Sequence, residues 1–221
     1  MRRAAVLATL ACACAIAASP AAATNECRGL QVCVPVAGPW VVATPGRTEF
    51  QLSCPQRYVV AGLDAELSDR GIDIGFVGAM GSPVNPGITT SRDVVFLGRI
   101  VRHVAGATFK PHIGCVPASG GGRRTPTAYH AFPPGKPTTR LALNFRAGAG
   151  TTVRSARCGR KDLLVSATHA IGFLGAAPPT QRAVGAVSAR ETIRKGRVTI
   201  TVRARRGSSA LVQLDLVCAP Q

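Results

Sequence analysis

The chain has 221 residues, with 27 Lys or Arg against 10 Asp or Glu and a formal net charge of +17. Aromatic residues make up 5%, so any core rests on Val, Leu, Ile and Ala, while 24 Gly and 16 Pro predict many turns. No apolar stripe of helical period runs through the chain, which excludes a long-helix protein.

Residues 1–23 read as an export signal. Arg2 and Arg3 form a positive start. Ala4 to Ala18 is an apolar run of 15, too short to span a bilayer, and Ala21-Ala22-Ala23 is a small-residue cleavage site. Thr24 then becomes the first mature residue. Thr9-Leu10-Ala11-Cys12 fits a lipoprotein signal poorly, and two arginines alone do not make a twin-arginine signal. No later segment reads as transmembrane. The expected location is extracellular or attached to the cell envelope.

After the signal, residues 24–37 form an extension in which Leu30 to Pro35 reads as an extra edge strand. From residue 38 onward, alternation of period two dominates. Phe109, Pro111, Ile113 and Cys115 share one face; Val212, Leu214, Leu216 and Cys218 repeat it at an offset of 103. Val198, Ile200 and Val202 alternate with Thr199, Thr201 and Arg203, as a half-buried strand should. Thr44 to Arg47, Ser68 to Gly71 and Ala147 to Gly150 read as hairpin turns. The expectation is an all-β protein of two tandem antiparallel sandwich-like modules, 38–117 and 139–221. A Gly-, Pro- and Arg-rich linker at 118–138 separates them. One continuous pseudo-symmetric sandwich, with that stretch as a long loop, is the rival.

An internal duplication underlies this division. Cys54 and Cys115 are 61 residues apart, and Cys158 and Cys218 are 60 apart. Each frame encloses a similar string, Gly75-Phe76-Val77-Gly78-Ala79 and Gly172-Phe173-Leu174-Gly175-Ala176, read as equivalent strands. Six cysteines follow the signal, and an even count in an exported chain reads as disulfides. Spacing alone cannot choose among the pairings. Duplication does: Cys54 with Cys115, Cys158 with Cys218, and Cys27 with Cys33. Each long bridge contributes roughly 4 kcal/mol on a chain-entropy account. No Cys-x2-Cys spacing supports zinc.

At Cys54-Pro55, Gly62, the Gly75 string and Cys115, the chain resembles repeats in secreted proteins of high-G+C Gram-positive bacteria. Those repeats open on Cys-Pro, carry a glycine-containing strand soon after, and close on a Cys-terminated strand. The resemblance covers both modules, although the second has Gly159 for the proline and Ser166 near the glycine. It implies fold and export and no activity.

Charge is divided unevenly. Residues 24–117 hold 8 basic and 7 acidic side chains, whereas residues 139–221 hold 14 and 3. The second module is therefore the candidate for contacting an anionic cell-wall or extracellular polymer, with Arg197, Arg203, Arg205 and Arg206 as candidate contacts. Trp40, Tyr58 and Tyr129 are the only Trp or Tyr, and none sits in the basic strand, which disfavours sequence-specific binding of single-stranded nucleic acid. Asp64, Glu66, Asp69 and Asp73 cluster in the first module, and a hairpin at 68–71 would set Glu66 opposite Asp73. Their spacing is not that of an EF-hand. His103 and His112 are expected on an outward face. Ser166 to His169 offers a hydroxyl near an imidazole without a nucleophile elbow. The reading is of a non-catalytic protein with no metal or cofactor, which binds a polymer or adheres to the envelope. A secreted enzyme inhibitor or protein-interaction module is the alternative.

Overall fold

A computed structural model describes residues 24–77, 92–102, 104–118 and 138–221. Residues 1–23, read above as an export signal, and most of the expected linker lie outside them. Among the described residues the chain forms thirteen strands and one four-residue helix, α1 (Gln181–Val184). The strands of the first half are β1 (Val34–Ala37), β2 (Trp40–Val42), β3 (Thr48–Ser53), β4 (Tyr58–Leu67), β5 (Ile72–Val77), β6 (Asp93–Ile100) and β7 (Thr108–Pro117). Those of the second are β8 (Thr139–Ala147), β9 (Gly150–Arg157), β10 (Asp162–Phe173), β11 (Val187–Arg194), β12 (Arg197–Ala204) and β13 (Ala210–Pro220). All pairs are antiparallel.

One seven-stranded sheet runs through both halves. β4 pairs β7, β7 pairs β1 and β2, β2 pairs β10, and β13 lies between β10 and β8. Short as it is, β2 stitches the halves: Val41 sits opposite Phe109 on one side and Gly172 on the other. Two three-stranded sheets, β3-β6-β5 and β9-β12-β11, cover this large sheet. Trp40 and Val41 are successive strand residues, so they point to opposite faces. Trp40 belongs to the core beneath β9-β12-β11, and Val41 to the core beneath β3-β6-β5. The two small sheets therefore lie on opposite faces of the large one. Alternation fills both cores: Phe109, Ile113 and Cys115 of β7 enter one, and Val212, Leu214 and Leu216 of β13 enter the other, all fully buried.

The three expected hairpin turns are instead crossovers. β2 and β3, β4 and β5, and β8 and β9 each belong to different sheets. Alternation assigns a residue to a face but not a strand to a partner, and a turn between two layers preserves the inward face as well as a hairpin does. The closing strands follow the same rule, since β6 and β12 lie in the small sheets and β7 and β13 in the large one. The tight hairpin is β11–β12, whose two-residue turn places Lys195 and Gly196 at φ of 49° and 70°. The two Gly-Phe strings are not equivalent either. Phe76 is half exposed in β5 of a small sheet, whereas Phe173 is buried at the end of β10 in the large sheet. Residues 78 and 79 of the first string lie outside the described residues.

Three disulfides join Cys27 to Cys33, Cys54 to Cys115 and Cys158 to Cys218. The extension adds β1 along β7, pairing Val34 with Cys115. Ahead of it, residues 24–33 cross the opposite face of the β4–β7 pair as a strap. A side chain at Gly62 or Gly114 would overlap the Glu26 carbonyl, so both glycines seat the strap.

Candidate anion-binding face

The sheet β9-β12-β11 has an unbroken register, and residues directly opposed in it share a face. Val198, Ile200, Val202 and Ala204 of β12 point into the core. Their alternates point outward and organise four cross-strand rows: Arg194-Arg197-Arg157, Thr192-Thr199-Ser155, Arg190-Thr201-Val153 and Ser188-Arg203-Thr151. Of these twelve outward positions, five are Arg, six are Ser or Thr, and one is Val153. All five arginines are exposed, and among the described residues none forms an ion pair. Ser155 and Thr199 hydrogen-bond across the strands at 2.8 Å, fixing the hydroxyl row beside the triple-arginine row.

Two of the three acids of the second half are engaged elsewhere, and the third lies beyond the end of this face. Asp215 is buried 3.5 Å from Arg140, Glu191 meets His169 at 3.1 Å, and Asp162 starts β10 opposite Pro220. The four arginines expected from sequence are thus divided. Arg197 and Arg203 both face outward, but six residues apart, roughly 20 Å along the strand. Arg205 and Arg206 lie beyond β12, exposed in the turn before β13. Sequence reasoning missed Arg157, Arg190 and Arg194, which flank the central strand. Their signal was present in the alternations Ser188-Arg190-Thr192-Arg194 and Thr151-Val153-Ser155-Arg157.

A second polar cluster joins the halves. Arg140 of β8 meets Glu49 of β3 at 2.7 Å and Asp215 of β13 at 3.5 Å, and Arg47 also meets Glu49. Burial pushes the Glu49 carboxyl up, but Arg140 and Arg47 outweigh it and hold it below the usual range. Burial dominates at Asp215 and, aided by the nearby Glu49 charge and opposed by Arg140, raises it to about 6. Among the described residues neither Asp215 oxygen finds a well-aligned hydrogen bond, its contact with Arg140 being the 3.5 Å ion pair. Beside this cluster, the Gln213 side chain accepts from Gln51 N at 2.5 Å, and its Nε2 donates to Gln51 O and Asn144 Oδ1, both at 2.9 Å.

In the first half, the supposed opposition of Glu66 and Asp73 is absent, because β4 and β5 are in different sheets. Glu66 lies across from Lys110 and Asp73 across from Arg99, each in an ion pair. Asp64 accepts from Asn25 N, and Asp69 from Gly71 N, both at 2.6 Å. His112, expected outward, is 6% exposed because the strap covers it. Its Nε2 lies 2.7 Å from Glu66 Oε1 without an aligned hydrogen bond, and its Nδ1 is 3.9 Å from Glu26. Lys110 sits over the Trp40 ring at 5.7 Å. His103 and His130 lie outside the described residues. Ser166 and His169 are three positions apart in β10 and face opposite sides, so they make no catalytic pair. Among the described residues no three His, Cys, Asp or Glu side chains gather as a metal site, and no helix is long and apolar enough to cross a membrane.

In comparison with known proteins, no family model, no curated protein and no solved structure matches the chain.

Proposed function

We propose that the protein is an exported, non-catalytic polymer-binding protein that contacts an anionic chain through the outward face of β9-β12-β11. One observation carries this reading: five exposed arginines among twelve outward positions, with no carboxylate to answer them. Guanidinium groups interleaved with hydroxyls suit a chain that alternates anionic groups with hydrogen-bonding ones. The reading also takes residues 1–23 as a cleaved signal.

We also infer that the halves are copies of one module. The small sheets have the same strand order under the succession β3-β6-β5 and β9-β12-β11, and β4–β7 corresponds to β10–β13. A bulge follows Val60 in one and Leu164 in the other, each opposite the closing cysteine. Under this alignment Glu49 and Gln51 of β3 correspond to Val153 and Ser155 of β9. The former are engaged by Arg140 and Gln213, and the latter are exposed, so one copy docks and the other presents its face to solvent.

The test uses the full chain and an immobilised anionic polysaccharide over a salt series. Binding should weaken steeply as ionic strength rises. Arg197→Glu with Arg203→Glu should abolish it. Arg146→Glu with Arg182→Glu changes net charge equally, at exposed positions off the face, and should retain it. Equal loss in both double variants would reduce the effect to net charge and remove the assignment to this face.

A further inference from the structure

The basic face is not uniform along its length. Its first row places three arginines side by side, Arg194, Arg197 and Arg157, on strands about 4.8 Å apart. The β11–β12 turn adds Lys195, which adopts a left-handed backbone conformation normally left to Gly, Asn or Asp. Just beyond Arg157, the turn closed by the Asp162 N to Gly159 O hydrogen bond carries exposed Arg160 and Lys161. Six cations thus gather at one end of the second half, beside Asp162. Directly opposed like charges are unfavourable in a sheet, and no carboxylate lies in the row to relieve them. Such a tip is stabilised by an anion of high charge.

We infer that this tip is a phosphate subsite and that its occupant is a soluble phosphate polymer; the inference rests on the reading of the face as a polyanion surface. The chemistry distinguishes phosphate from carboxylate. A carboxylate carries one charge on two oxygens, which one guanidinium fork satisfies. Each internal group of a phosphate polymer also carries one charge on two free oxygens, but these charges follow one another more closely along the chain, and the terminal group carries nearly two charges on three oxygens. Three parallel guanidiniums flanked by ammonium groups therefore suit closely spaced phosphates better than the single carboxylates of a polyuronate. Neither the face nor the tip has an aromatic side chain to stack on a base or to anchor in a lipid interface.

The experiment measures binding of the full-length protein by calorimetry to inorganic polyphosphate, to polygalacturonate and to phosphatidic acid vesicles. Two variants of the central strand are compared, Arg197→Thr within the triple row and Arg203→Thr, whose row neighbours are Ser188 and Thr151. Wild type should bind polyphosphate at least about tenfold more tightly than polygalacturonate. Arg197→Thr should lose about tenfold in affinity and, freed of the like-charge row, melt roughly 2–4 °C higher without ligand. Arg203→Thr should lose about two- to threefold and gain no Tm. Equal losses in the two variants, polygalacturonate bound as tightly as polyphosphate, or binding only to vesicles would each overturn the phosphate subsite. Wild type binding no polyanion would overturn the broader polymer reading as well.

Discussion

Asp215→Asn should make the protein more stable at neutral pH. The Asp215 carboxyl is 2% exposed, lacks a well-aligned hydrogen bond among the described residues, and meets Arg140 at 3.5 Å. Burial outweighs that contact and holds the group at about 6, against an ordinary value of 3.8. Because the folded value is the higher, the folded state binds more protons between about 3.8 and 6, and stability falls as pH rises through that window. At about 1.4 kcal/mol per unit, ionised Asp215 costs on the order of 3 kcal/mol at pH 7.5. Asparagine resembles the protonated acid in size and charge. It should recover roughly 2–3 kcal/mol at pH 7.5 and about half of that at pH 5. Glu49 acts in the opposite sense, with stability present above its ordinary value and lost in acid, so pH 5–7.5 isolates Asp215. Urea denaturation of both proteins across that range is the assay. Parallel curves, or a variant less stable at pH 7.5, would refute the argument and show that the Arg140 contact outweighs burial.

Two further outcomes follow from the packing. Gly62→Ala or Gly114→Ala should lift the strap from the β4–β7 pair, lowering Tm by several degrees and making the Cys27–Cys33 bridge faster to reduce; unchanged reduction would mean the strap adjusts. Native trypsin should cut first at Arg123-Arg124, outside the described residues, giving two fragments on a non-reducing gel because every disulfide lies within one half. The nicked protein should still elute as one species, since β2–β10 pairing and the Arg140 and Gln213 contacts span the cut; separate elution would show that these contacts do not hold the halves together.

Strand positions, inward faces and cysteine partners were legible in the sequence because each rests on periodicity or on matched intervals. Ile113 and Leu214 could be placed inside from alternation alone. Partnership was not legible. β4 and β5 read as a hairpin because alternation continues through Ser68 to Gly71, yet the chain changes layer there. His112 read as outward because its own strand says so; the strap that buries it comes from residues nearly ninety positions earlier, and only Gly62 and Gly114 hint at the close approach. The basic face fared similarly. Arg197 and Arg203 stand on the strand with the clearest alternation, while Arg157, Arg190 and Arg194 become its neighbours only through register.

Gln213 gives the first half's small sheet its missing margin. β3 is hydrogen-bonded to β6 along one side only, so its other side offers free amide and carbonyl groups, a template on which a foreign strand can grow. The Gln213 amide fills both groups of Gln51 in mid-strand, and Asn144 holds that amide in the orientation that does so. Glu49 on the same strand is clamped by Arg140. Both plugs come from the second half. The two halves are therefore more than neighbours on a sheet: the second occupies the β3 edge of the first, which a foreign strand would otherwise meet.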